Sequence, residues 1–105
     1  MLINVPSQEK FAEIIARDKP TLAVCVASWC HNCASYKPTL TRFAAKFPQI
    51  TVALVDFDAF PLLAGAHKVT AVPTAFVYVG GARKRKKLEG KVTLSELEAF
   101  VQSVI

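Results

Sequence analysis

The run Thr21-Leu22-Ala23-Val24-Cys25-Val26-Ala27 is apolar at every step after its first residue. A strand with no polar alternation has to be covered on both faces. It therefore belongs inside a sheet flanked by helices, not on a sheet with one wet side. Two residues later the chain reads Trp29-Cys30-His31-Asn32-Cys33 and passes into a helical pattern that extends to about Phe47. A buried strand that delivers two thiols to the first turn of a helix restricts the architecture and the chemistry together.

The remaining segments fit that frame. Met1–Val5 reads as a short strand. Pro6-Ser7 opens an amphipathic helix through about Arg17, with Phe11, Ile14 and Ile15 inward. Pro38 lies inside the helix after the cysteines and should kink it, because proline lacks the N–H and crowds the preceding turn. Thr51–Phe57 is a second β-rich run, and Asp58 suits the cap of a short helix with Pro61 in its first turn. Thr74–Val79 is a third strong strand. Gly80-Gly81 predicts a hairpin that returns as Arg83–Glu89. Thr93-Leu94-Ser95-Glu96 has capping-box spacing, and Leu94, Leu97, Phe100, Val101 and Val104 mark the inner face of a last helix. The order βαβαβαββα predicts one α/β domain over residues 1–105, a mixed five-stranded sheet flanked by four helices.

With 105 residues, 52% of them hydrophobic and 20% charged, the chain has enough apolar material for one core. Its longest apolar stretch, Leu22–Ala27, is far too short to span a membrane, and the amino terminus lacks the pattern of a signal peptide. A cytoplasmic, reducing location is the expectation. The net charge of +5 comes largely from Arg83-Lys84-Arg85-Lys86-Lys87. No aromatic residues interleave with this run, so it reads as a solvated edge strand that resists sheet-to-sheet pairing, with no nucleic acid or membrane partner.

A C-x-x-C pair serves redox or metal chemistry. The N–H groups and positive dipole end of a helix start stabilise a thiolate. Cys30 is then the attacking sulfur, and Cys33, one turn later, resolves the mixed disulfide. A structural zinc site needs four ligands, and only Cys25, His31 and His67 are available beyond the pair. Cys25 lies in the buried strand as an inert small hydrophobe, and His67 reads as a surface residue, so neither a metal nor another cofactor is expected.

Trp29–Cys33, Pro38, Asp58 with Pro61, Val72-Pro73-Thr74 and Gly90 together resemble the thioredoxin family. The resemblance implies the thioredoxin fold and a thiol–disulfide oxidoreductase that reduces protein disulfides. It further implies a monomer re-reduced by a thioredoxin reductase or an equivalent electron donor. Val72-Pro73 would be a cis bond facing Cys30, and the backbone of Val72 would pair with the substrate chain. Trp29, Phe57, Ala71, Val72, Pro73 and Gly90 would form the docking surface. Alternatives are a disulfide oxidant or isomerase of the same fold, and a partner-binding module with weak redox activity.

The chain departs from the family pattern in two places. His31-Asn32 replaces the usual Gly-Pro between the cysteines, and a partly protonated His31 beside Cys30 would make the disulfide more oxidising. Val24 and Leu54 occupy the positions of the family's buried Asp and its Lys partner. Both charges are absent together, which leaves neither one buried and unpaired, but Cys33 loses an adjacent general base.

Overall fold

The computed structural model describes residues 1–105, the side chain of Arg85 excepted. Its elements are β1 (Leu2–Asn4), α1 (Gln8–Ile15), β2 (Thr21–Val26), α2 (His31–Lys46), β3 (Thr51–Asp56), α3 (Pro61–Ala66), β4 (Thr74–Val79), β5 (Ala82–Glu89) and α4 (Leu94–Val104). The strands form one sheet in the order β1-β3-β2-β4-β5. β1, β3 and β2 run parallel, while β4 and β5 are antiparallel additions. The mixed five-stranded sheet with four helices is the expected one.

Strand periodicity explains why β2 is apolar throughout. Side chains alternate between faces, and both faces are covered. Leu22, Val24, Val52, Leu54, Ala75 and Val77 point into one core with Tyr36, Leu40 and Phe43 of α2 and Leu97 and Val101 of α4. Ala23, Cys25, Ala53, Val55, Phe76 and Tyr78 point the opposite way, toward Phe11 and Ile14 of α1 and Ala64 of α3. A polar residue at any of these central positions would face one core or the other.

The helix ends follow local chemistry. Ser7 caps α1 by accepting from the N–H of Lys10, and Thr93 and Glu96 form the reciprocal capping box of α4. Gly80 and Gly81, at φ +59° and +83°, supply the two left-handed residues of a tight hairpin turn. Lys68 adopts φ +55° after α3, in a Schellman ending where its N–H bonds the Gly65 carbonyl and that of Val69 bonds Ala64.

Two expectations need correction. Asp58 does not cap α3: the N-cap is Phe60, with no side-chain hydrogen bond. The turn before α3 is instead organised by Asp56, whose Oδ1 accepts from the N–H groups of Asp58 (2.9 Å) and Ala59 (3.1 Å). His67 is not a surface residue. It is buried at 7% exposure, its ring stacked on Phe76 with centroids 4.5 Å apart. Nδ1 lies 2.7 Å from the Leu63 carbonyl and Nε2 bonds the Tyr78 hydroxyl, so the neutral ring has partners for both nitrogens.

β5 is an edge strand, as the basic run suggested, but its cations are not all idle. The Arg83 guanidinium lies 5.5 Å from the Phe76 ring centroid and donates to the His67 carbonyl. Lys87 donates to the Lys68 carbonyl at 3.0 Å. These long side chains lay their stems along the sheet and hold the segment that follows α3.

Candidate active site

β2 ends at Val26, and the chain turns through Ala27, Ser28 and Trp29 into α2. Cys30 is the N-cap of α2. Its extended backbone (φ −90°, ψ 111°) and side-chain acceptor role are those usually filled by Ser, Thr or Asp. The N–H of Cys33 donates to Cys30 Sγ at 3.2 Å. Helix-cap geometry thus turns a backbone donor onto the sulfur, where it favours negative charge. Cys30 Sγ in turn donates to the Val72 carbonyl at 3.6 Å.

Cys33 sits under the first helical turn at 6% exposure, against 8% for Cys30. Burial, and then its hydrogen bond to the Cys30 sulfur, push the Cys33 thiol up to about 11. The two sulfurs are inequivalent: Cys30 receives a helix N–H, and burial raises the Cys33 thiol.

Around them, Ala27 completes a small apolar cluster on which Val26, Phe57 and Val72 pack. Val72-Pro73 is cis, as the resemblance implied. Pro73 is buried, its carbonyl accepting from Gly90 N–H at 2.8 Å, and Gly90 takes φ +88°. Ala71 is exposed, and its carbonyl accepts from Thr74 Oγ1 at 2.6 Å. Trp29 is 66% exposed, so it is not a core residue. Trp29 Nε1 donates to Asp58 Oδ2 at 2.6 Å, which fixes the indole beside the cysteines. This is the role of Asp58 that capping logic missed: it serves a side chain 29 residues earlier, not its own backbone.

The other predicted residues lie further out. His31 and Asn32 are exposed on the first turn, and among the described residues the His31 ring makes no hydrogen bond. Val24, fully buried, lies opposite Leu54 in the β2–β3 register, so the sheet floor beneath α2 is apolar. Cys25 is 1% exposed on the opposite face, its thiol pushed up to about 11 by burial. Among the described residues, no three His, Cys, Asp or Glu side chains are grouped as metal ligands, and no helix is long and apolar enough to cross a membrane.

The family model for Thioredoxin matches residues 3–103. The chain belongs to the thioredoxin family. Thioredoxin from Chlamydia trachomatis is 31% identical over 103 residues, spanning 98% of this chain and 96% of that one. A bifunctional thioredoxin reductase/thioredoxin from Mycobacterium leprae is 34% identical over 80 residues, 75% of this chain and 18% of that protein. A variant of a thioredoxin from Halobacterium salinarum superposes with a TM-score of 0.89 at 24% identity, covering 98% of this chain and 89% of the other, a likeness of fold. As a member of the thioredoxin family this protein is a thiol–disulfide oxidoreductase, and Cys30 and Cys33 stand side by side at the start of α2.

Proposed function

We propose that the protein reduces protein disulfides, with Cys30 as the nucleophile and Cys33 as the resolving thiol. The observation that supports this division most is the hydrogen bond from Cys33 N–H to Cys30 Sγ, together with the held proton on Cys33. The Cys30 thiolate attacks one sulfur of a substrate disulfide, and the other leaves as a thiolate that takes up a proton. Cys33 then loses its proton and attacks Cys30 Sγ. A Cys30–Cys33 disulfide forms and the second substrate thiol departs, so two electrons have passed to the substrate. A thioredoxin reductase or equivalent donor returns them, a pairing that the reductase-fused relative supports. No cofactor enters this cycle.

The substrate chain docks on Trp29, Phe57, Ala71, Val72, Pro73 and Gly90. Exposure of Trp29 and packing of Phe57 and Val72 against the thiol cluster support that surface. The backbone of Val72, whose carbonyl faces Cys30 Sγ, supplies a strand-like clasp for an extended peptide. A monomer in the cytoplasm suits a buried, unpaired Cys25 and a charged outer strand.

The exposed His31 favours a second reading in one respect, operation as a disulfide oxidant or isomerase. The test is insulin-disulfide reduction with a recycling reductant. The natural protein should accelerate it, Cys30→Ser should be inert, and Cys33→Ser should accumulate the mixed disulfide. Activity equal to that of Cys30→Ser would instead mark a partner-binding module.

A further inference from the structure

A cavity of about 350 Å³ opens beside Cys33, between the first turns of α2 and the ends of β1, β2 and β3, and Trp29 does not line it. Leu54 forms part of its apolar floor. Its polar lining includes Asn4, Ser28, Lys37 and Asp56 together with Cys33. Such a space, with several hydrogen-bonding groups, holds water readily.

Resolution of the mixed disulfide requires Cys33 to give up its proton as its sulfur attacks. The thiol is buried, so the acceptor has to be reached from a neighbouring space. The sheet floor under α2 offers none: Leu54, which lines the cavity, and its register partner Val24 are hydrocarbon. His31 stands on the exposed first turn and does not line the cavity. Among the described lining residues Asp56 is the one carboxylate. Asp56 is placed by register. It follows Leu54 by two residues in β3, so its side chain leaves the sheet on the α2 face, and it pairs with Val26 next to the start of the cysteine turn. Its orientation is fixed through Oδ1, which accepts two backbone N–H groups.

We propose that Asp56 is the proton acceptor for Cys33, acting through water in this cavity. The inference rests on Cys33 being the resolving thiol. In the step, the Cys33 S–H proton passes through water to the Asp56 carboxylate. The Cys33 sulfur bonds Cys30 Sγ, the bond from Cys30 to the substrate sulfur breaks, and the departing thiolate is reprotonated by solvent or by the Asp56 carboxyl. Asp56 is thus a positioning residue for the proton, not a group that touches substrate.

The experiment uses an aromatic disulfide, 5,5′-dithiobis(2-nitrobenzoate), which releases one equivalent of coloured thiolate on attack by Cys30 and a second on resolution by Cys33. Asp56→Asn retains an Oδ1 acceptor for the turn, so folding should persist, and Asp56→Glu serves as the conservative variant. Asp56→Asn should leave the first phase within about twofold and slow the second about tenfold or more, below the usual yield of an acid–base group because the relay is indirect. The second phase of the natural protein should be nearly flat with pH around neutrality. In Asp56→Asn it should rise about tenfold per pH unit, as expected when hydroxide must remove the proton. Asp56→Glu should recover most of the rate, and Lys37→Gln should change it less than twofold. A second phase in Asp56→Asn slowed by less than tenfold, or with unchanged pH dependence, overturns the proposal. Loss of the second phase in Cys33→Ser confirms the resolving role independently; its persistence there would sink that reading instead.

Discussion

Replacing His67 with phenylalanine tests whether the ring network behind β4 sets the acid stability of the fold. Burial lowers the pKa of His67 below its ordinary 6.5, and the Arg83 charge adds to that, while the hydrogen bond to Leu63 works in the opposite direction. The neutral ring has both nitrogens matched, Nδ1 to the Leu63 carbonyl and Nε2 to the Tyr78 hydroxyl. The sign follows. Below about pH 6.5 the unfolded chain takes up a proton at this histidine that the folded chain refuses, so acid favours unfolding. The contribution is fully present above pH 6.5 and is lost as pH falls toward the lowered folded value. The slope has an upper bound of about 1.4 kcal/mol per pH unit. His67→Phe retains the stack on Phe76 but deprives the Tyr78 hydroxyl of its partner, at a cost of about 1–3 kcal/mol near neutral pH. The Leu63 carbonyl still accepts the backbone N–H of residue 67 at 3.1 Å. Urea unfolding followed by circular dichroism, repeated from about pH 8 down to pH 5, should give curves that converge on acidification. Adding Tyr78→Phe should recover most of the neutral-pH loss, since removing both partners is nearly neutral. Parallel pH profiles for the natural protein and His67→Phe would refute the reasoning.

Three further outcomes are expected. Iodoacetamide near pH 8 should label Cys30 first, Cys33 slowly because its thiol holds its proton up to about 11, and Cys25 only on unfolding; peptide mass spectrometry reads the order, and early labelling of Cys25 would contradict its burial. Among the described residues the buried Tyr36 hydroxyl has no hydrogen-bond partner, and it is pushed up to about 12 by burial and the nearby Glu96 charge, so Tyr36→Phe should stabilise the protein by about 1 kcal/mol in urea unfolding, and a loss of stability would count against it. His31→Gly/Asn32→Pro should have a reduction potential more negative by about 30 mV or more, a tenfold change in the equilibrium constant; an equal or less negative value than the natural protein's would remove His31-Asn32 as the source of an oxidising poise.

The chain itself determined the elements and the reaction. β2 had to lie between two layers because nothing in Leu22–Val26 tolerates water, and a helix begun at Cys30 had to present its N–H groups to that sulfur. These are short-range consequences of periodicity and capping, readable without knowing the rest of the fold. Tertiary structure decided which distant groups meet. It turned Asp58 from an expected helix cap into the acceptor for Trp29, and gave the turn to Asp56. It buried His67 against Phe76 and Tyr78, residues that sequence spacing does not mark as its neighbours. It brought the Val72 carbonyl to Cys30 across 42 residues and opened the space in which Asp56 and Cys33 share a wall. Local patterns fix the backbone one turn at a time, whereas these pairings depend on how two covered faces of a sheet pack, and that energy belongs to the assembled core and not to any segment of it.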